Sequence, residues 1–329
     1  MQVSFIIPLY NCLALTRVCV DSLLASLPKG LRFEIILVDD GSTDGTRDWL
    51  ATLTAPFRVI LNEENLGYAA ANNRGAALAS GVVLFFLNND LVLARGWLQP
   101  MLRLVRRSRA GLVGNTQVEA ITGRLDHCGV DFDGKGKPVH LTHCSRWDRL
   151  MGRRRTVALT GACFCITRQR WQQLGGFDTV FVNGCEDIDL CLKARAVGCT
   201  NFVSLRSVIG HHISQSPGRK LRDEQNTRRL VRRWREEITL QVARYYMREW
   251  CGRYIMAYWD QSYIYDYAYA RRVLGLWLGV VSTPVAAIIL IAQTKVDAEL
   301  ARWAELLGPE DQLPGPPLNF PAPEIQAGD

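Results

Sequence analysis

The chain has 329 residues, of which 48% are hydrophobic and 22% charged, and carries a net charge of +7. That balance excludes an intrinsically disordered chain and leaves room for one large α/β domain with appendages, or for two small domains. The basic residues cluster at 103–109, 146–155 and 219–235, which suits phosphates, nucleic acid or a membrane surface, or a merely solvated positive face.

Strand and helix signals alternate over the first 90 residues. Residues 3–7 form a β-branched run ending at Pro8, followed by a helical stretch at 13–27 that stops at Pro28 and Gly30. A second strand at 34–38 is closed by Asp39-Asp40-Gly41-Ser42, and residues 43–53 read as a helix capped by Ser42 or Thr43. A third strand at 58–61, a small-residue helix at 69–79 and a fourth strand at 82–87 complete the pattern. Short strands separated by helices predict an α/β fold, a mainly parallel sheet flanked by helices. In such sheets ligands bind beyond the carboxyl ends of the strands, so the polar groups at 8–11, 39–40 and 88–90 are candidate site residues. Further on lie an apolar run at 157–166, the acidic segment 183–198 and a strand at 203–208 followed by His211-His212.

The composition changes after His212. Residues 218–237 are basic and helical in pattern, 245–269 are rich in Tyr and Trp, and 273–292 contain no charge. Twenty helical residues span about 30 Å, the thickness of the hydrocarbon core. With Arg271 and Arg272 before it, this segment is expected to be a membrane-associated helix that leaves the N-terminal domain in the cytoplasm; a buried packing helix is the other reading. The ten cysteines follow no repeated Cys-x-x-Cys spacing, and Cys163, Cys165, Cys191 and Cys199 lie in apolar runs. They read as reduced core thiols of a cytoplasmic domain. A looser group, His127, Cys128, His140, His143 and Cys144, matches no zinc spacing.

Two strand ends about fifty residues apart carry acids: Asp39 or Asp40, suited to accept hydrogen bonds from a nucleobase or ribose, and Asp90, suited to a hard divalent cation that keeps waters. Either acid alone also fits an ordinary strand-end turn. Glu186, Asp187 and Asp189 crowd a helix start, where acids are favoured structurally and where one beside a cleft serves as a general base. His211 or His212 suits a metal or a phosphate oxygen.

The segments VSFIIPLYN, EIILVDDGSTDGT, NLGYAAANNRGAALASG, VLFFLNND, LTGACFCITR, GGFDTVFVNGCEDIDLCLKARAVG and VIGHHISQS together resemble the family 2 inverting glycosyltransferases with a GT-A fold, most closely the rhamnosyl- and galactofuranosyltransferase-like branch. The resemblance covers about residues 3–216. It implies a catalytic domain at 1–216, a basic and aromatic helical extension at 217–270, a membrane-associated helix at 271–295 and a partly disordered tail at 296–329. It also implies that Pro8, Tyr10 and Asp39 line the pocket for a uracil or thymine base, that Arg74 and Asn89 lie near the nucleotide, and that Asp90 and His211 hold Mg²⁺ or Mn²⁺. Asn88 departs from the acid that usually begins that motif. Asp187 would be the general base, with Glu186 its alternative or partner.

The expected activity is metal-dependent, inverting transfer of a sugar from a UDP- or dTDP-sugar to a glycan or lipid-linked acceptor on the cytoplasmic face of a membrane, in cell-surface polysaccharide synthesis. The alternative is a catalytically weak or inactive carbohydrate-binding relative attached to the membrane. A nucleotidyltransferase would need a Gly-rich basic loop, absent from residues 3–11, and no nucleic-acid-binding module is recognisable.

Overall fold

The apolar runs near the N-terminus become adjacent strands because each is hydrophobic on both sides of its pleat. A computed structural model of the chain describes residues 2–212, 223–259 and 285–308. In chain order its elements are β1 (Gln2–Leu9), α1 (Leu13–Ser26), β2 (Arg32–Asp40), α2 (Thr46–Ala51), β3 (Phe57–Asn62), α3 (Tyr68–Leu78), β4 (Val83–Leu87), β5 (Leu91–Val92), α4 (Leu98–Val105) and β6 (Ala110–Glu119). There follow β7 (Leu125–His127), β8 (Val130–Phe132), β9 (Pro138–His140), α5 (Arg146–Met151), β10 (Arg153–Thr156), β11 (Cys163–Thr167), α6 (Arg168–Leu174), α7 (Glu186–Ala196) and β12 (Thr200–His211). Past residue 222 come α8 (Asp223–Arg233), α9 (Arg235–Trp259) and α10 (Val285–Leu307).

The main sheet runs β10-β12-β6-β11-β4-β1-β2-β3. β3, β2, β1 and β4 pair in parallel, and β6 and β12 run the same way because β11 is antiparallel to both β4 and β6. The carboxyl ends of β1, β2, β4, β6 and β12 therefore share one edge. The pleat divides β1 between two cores. Phe5 and Ile7 join Cys19, Leu23 and Met101 in the layer under α1 and α4, while Ile6 faces α3. On the α3 side Phe86 stacks on Phe164 at 4.8 Å and meets Trp171 at 4.4 Å. Burial on both faces explains why these strands read as continuous apolar runs.

At the opposite, amino edge, an acid is used purely as a structural tie. Glu34 accepts from Ser4 Oγ (2.6 Å), Ser80 N (2.7 Å) and Arg58 Nη1 (2.9 Å). Burial would raise its carboxyl, but these bonds outweigh that and hold it at about 2.

Several boundaries differ from expectation. The helix expected at 43–53 shortens to α2 because Gly45, not Ser42 or Thr43, precedes it in the left-handed region. Asp44 ends the turn by accepting from Leu13 N (2.9 Å) and Thr46 Oγ1 (2.6 Å). The strand expected at 203–208 extends to His211 across a register shift. Residues 114–156, for which the local pattern gives no element, hold the end of β6, then β7 to β10 and α5. The cysteines of the described residues carry free thiols, and burial pushes Cys19 up to about 12.

The described residues divide into two compact units, the first built from residues 2–131, 140–212 and 223–226, the second from 132–139, 227–259 and 285–308. In the second unit α10 lies along α9, with Ile238, Val242, Ala292, Val296 and Trp303 buried. Arg235 forks onto Asp297 at 2.9 and 2.8 Å. The segment expected as a membrane-associated helix, 271–295, is described only in its second half. Its residues 285–295 open the longer α10, which continues through Lys295, Asp297 and Glu299, and residues 271–284 lie outside the described residues, as do the division expected at 216–217 and most of the tail. Among the described residues no helix is long and apolar enough to cross a membrane.

α3 reaches the sheet through Gly75, where an added Cβ would lie 2.5 Å from Ile6 Cγ2 and 3.1 Å from Val38 Cγ2. Gly75→Ala is therefore expected to destabilise the fold by about 1–3 kcal/mol through overpacking. Urea denaturation checks this as a lowered midpoint at constant m-value; an unchanged midpoint would show that α3 has room to shift.

Candidate active site

The adjacent acids ending β2 point to opposite faces, as a pleat requires. Asp39 is fully buried, pairs with Arg47 Nε at 2.8 Å and accepts from Ser42 N at 3.3 Å. Asp40 accepts from Asn62 Nδ2 (2.6 Å), Leu66 N (3.0 Å) and Gly67 N (2.9 Å), which shapes the loop leading into α3. Arg47 also donates to the Asn62 carbonyl, and the exposed Arg74 donates to Asn62 Oδ1. Asp39, Arg47, Asn62, Arg74 and Asp40 thus form one network across the ends of β2 and β3. Arg47 was not singled out from the sequence. Its only signal is a cation on the short helix that follows the acidic turn.

Pro8, half-buried, pairs in register with Val38, and Tyr10 stands 49% exposed on the next loop. That loop is held by Asn11, whose N–H donates to Ser42 Oγ (2.8 Å) and whose Oδ1 accepts from Thr43 N (2.8 Å). Asn11 and Cys12 both adopt positive φ. The β1–α1 and β2–α2 loops are therefore a single stitched surface carrying Pro8, Tyr10 and the Asp39 backbone.

Asn88 and Asn89 tie the end of β4 to its neighbours. Asn88 N donates to Ala162 O at 2.8 Å, and Asn89 Nδ2 donates to Thr16 Oγ1 at 2.9 Å. Asn89, expected at the nucleotide, thus has an amide donor engaged by α1. Asp90 differs from both. β5 pairs with the end of β12, His211 opposite Leu91, and His212 N donates to Asp90 O at 3.0 Å. This pairing brings His211 Nε2 within 3.3 Å of Asp90 Oδ1. Asp90 Oδ1 is buried without a hydrogen bond, as is Nδ1 on the far side of the His211 ring; a ligand or water at the carboxylate would relieve that cost. A carboxylate oxygen and an imidazole nitrogen at this spacing fit a divalent cation accepting mixed O and N donors. Among the described residues no cluster of three or more His, Cys, Asp or Glu could hold a metal. The looser cysteine–histidine group accordingly comes together as two pairs and not as a metal centre: Cys128 meets Cys144, and His127 lies 4.9 Å from His140.

The three acids of α7 take different environments. Asp189 is fully buried against Lys193 at 2.9 Å. Glu186 is buried and turned back to accept from Gly184 N at 2.6 Å. Asp187 is half-buried at the helix start, its Oδ2 accepting from Gly161 N at 2.6 Å and its Oδ1 from Ile188 N at 2.8 Å. Gly161 O in turn accepts from Tyr68 Oη at 2.7 Å. A Cβ at Gly161 would lie 2.9 Å from that hydroxyl, so only glycine fits between Tyr68 and Asp187. Asn183, at positive φ, accepts from Tyr68 N at 3.2 Å. Residues 161 and 162 thereby join Asp187 on one side to the end of β4 on the other.

His127 supports this segment from behind. It is buried, and its Nε2 accepts from Gly129 N at 3.2 Å and Thr160 N at 3.4 Å. Two backbone donors require a neutral Nε2. Burial, then the charges of His140, His211 and Arg154, push its pKa well below 6.5. The unfolded imidazole therefore takes up a proton as pH falls below about 6.5 while the folded one does not, so stability is lost toward acid by at most about 1.4 kcal/mol per pH unit. His127→Gln is expected to remove this component. Urea unfolding of both proteins at about pH 7.5 and pH 5.5 checks it, and an identical pH dependence would overturn the assignment.

Residues 4–155 match the family model described as Glycosyl transferase family 2. The chain is 32% identical over 251 residues to the uncharacterized protein y4gI of Sinorhizobium fredii, covering 71% of this chain and 27% of that protein. It is 31% identical over 231 residues to the O-antigen biosynthesis protein RfbC of Myxococcus xanthus, covering 65% of this chain and 18% of that one. This chain thus spans under a third of the length of either relative. In fold it is similar to GalNAc-T7, solved with UDP, GalNAc and Mn²⁺, with a TM-score of 0.60 and 20% identity over 72% of this chain and 49% of that one.

Proposed function

This chain belongs to the family 2 glycosyltransferases, and from that premise we propose that it transfers a sugar from a UDP- or dTDP-sugar to a hydroxyl of a glycan or lipid-linked acceptor, with inversion. One observation carries the reading. The unpartnered Asp90–His211 pair and the half-buried Asp187 flank the same short segment, since Asn88 bonds Ala162 and Gly161 bonds Asp187. The UDP, GalNAc and Mn²⁺ in the GalNAc-T7 structure support a nucleotide-sugar donor and a divalent cation here.

On this reading the nucleotide lies across the stitched loops that carry Pro8 and Tyr10, with Arg47 and Arg74 supplying positive charge around Asn62. Asp39 acts there through Arg47. Asp90 and His211 would hold Mn²⁺ or Mg²⁺, which when bound offsets charge on the departing diphosphate. Asp187 takes the proton of the acceptor hydroxyl as that oxygen bonds to the anomeric carbon. The bond from this carbon to the diphosphate oxygen breaks in the same step, and the nucleoside diphosphate leaves with the electron pair. A single displacement inverts the anomeric centre. Gly161 N and Ile188 N orient the Asp187 carboxylate, and Glu186, engaged in its own loop, supports the helix start. The acceptor side is proposed to lie at the cytoplasmic face of a membrane, with a role in cell-surface polysaccharide synthesis.

Asp187→Asn is expected to lower transfer by about 10²–10⁴-fold while leaving donor affinity unchanged. Transfer assays with UDP- and dTDP-sugars, paired with calorimetric donor titration, check this; turnover equal to wild type would remove Asp187 from the base role. Asp90→Asn is expected to abolish the dependence of donor binding on Mn²⁺, read in the same titrations with and without the cation.

A further inference from the structure

A short helix at the edge of the sheet is ordered at both ends yet contributes nothing to the core. α5 begins with a capping box: Ser145 Oγ accepts from Asp148 N at 3.0 Å while Ser145 N donates to Asp148 Oδ2 at 3.3 Å. It ends at Gly152, in the left-handed region, whose N–H donates to Arg149 O and whose carbonyl accepts from Leu205 N, both at 3.1 Å. None of its residues is buried. Six residues are far too few for a helix to persist alone, so the caps and the anchor to β12 hold it in place.

What it presents is unusual for a surface turned only to water. Trp147, Leu150 and Met151 are 68%, 69% and 40% exposed, and their i, i+3, i+4 spacing puts them on one face. Arg146, Arg149, Arg155 and Arg206 are exposed around them. None of these four makes an ion pair among the described residues, and the nearby Asp148 is engaged by the Ser145 cap. Because β10 runs antiparallel to β12, with Arg153 opposite Ser204, α5 joins β10 on the side of Ser204 that leads toward His211.

We propose that α5 is a bilayer-docking wedge, with Trp147, Leu150 and Met151 entering the headgroup–acyl boundary of an anionic membrane and the surrounding arginines lying at its phosphates. A nucleic acid or an acidic glycan would use the arginines and stack on Trp147, but it leaves Leu150 and Met151 in water. The inference deepens the reading of a membrane-borne acceptor, and rests on it, by naming the surface that brings the site to the membrane.

Co-sedimentation of the full chain with phosphatidylcholine vesicles, with and without phosphatidylglycerol, tests it. Wild type is expected to bind the anionic vesicles, and Trp147→Ser/Leu150→Ser to bind them at least about tenfold more weakly. Arg146→Gln and Arg149→Gln should each weaken binding about fivefold and reduce the preference for phosphatidylglycerol. Circular dichroism and donor turnover should match wild type in every variant, since none of these side chains is buried or lines the site. Equal sedimentation of wild type and the apolar double variant, or no binding of wild type to anionic vesicles, would overturn the wedge. So would retention on dextran sulfate and vesicles alike that is indifferent to Trp147 and Leu150. Absence of donor turnover by wild type would instead count against the transferase reading, while the vesicle result decides the wedge by itself.

Discussion

Burying a polar side chain in a sheet covered by helices on both faces is costly unless it finds a partner, and this constraint organises the strand ends. β1, β2 and β4 are buried almost throughout, so polar groups collect where those strands stop. Asp39 finds Arg47, Asp40 finds the loop before α3, and Asn89 finds Thr16. These members satisfy one another. Asp90 Oδ1 at the end of β4 does not join them: it is buried without a hydrogen bond and faces His211 Nε2 at 3.3 Å.

The same reasoning separates structural acids from chemical ones. Four carboxylates sit in superficially similar places at strand ends or helix starts, and only their partners distinguish them. Asp189 is neutralised by a lysine on the same helix, and Glu34 by a serine–arginine cluster at the opposite edge. Glu186 is spent on its own turn. Asp187 accepts from the backbone amides of Gly161 and Ile188 and remains half-open, an arrangement that orients its carboxylate.

Much of the first half of the fold was legible because its signals are local. Apolar runs bounded by Pro8, by Asp39-Asp40-Gly41 and by Asn88-Asn89-Asp90 mark strand ends, and each terminates where the pattern indicates, to within a residue or two. What was not legible is long-range. Nothing local to 163–167 declares that β11 runs antiparallel between β4 and β6, and nothing in residues 203–212 reveals the pairing that sets His211 against Asp90. Gly161 and His127 escaped for the same reason. Their significance lies in contacts with Tyr68, Asp187 and Thr160, up to 93 residues away in sequence, and a lone glycine or histidine carries no sign of such partners. The C-terminal apolar run is ambiguous for a different reason. An uncharged stretch of about twenty residues fits either a membrane or a helical partner; its last residues belong to α10, which continues through Lys295, Asp297 and Glu299.

The two-residue composition of the proposed metal position has a consequence for how such a site works. With one carboxylate oxygen and one imidazole nitrogen, the described residues supply a minority of the ligands that Mg²⁺ or Mn²⁺ takes. On the proposed reading the diphosphate of the donor would take some of the remaining positions, and cation and donor would then each raise the affinity of the other by the same factor. An acid in place of Asn88 would add a ligand and weaken that coupling. On this view the reduced acid count belongs to the cycle: it leaves the stitched loops around Pro8, Tyr10 and Arg47 to select the nucleotide, and the Gly161 segment to bring Asp187 to a donor already in place.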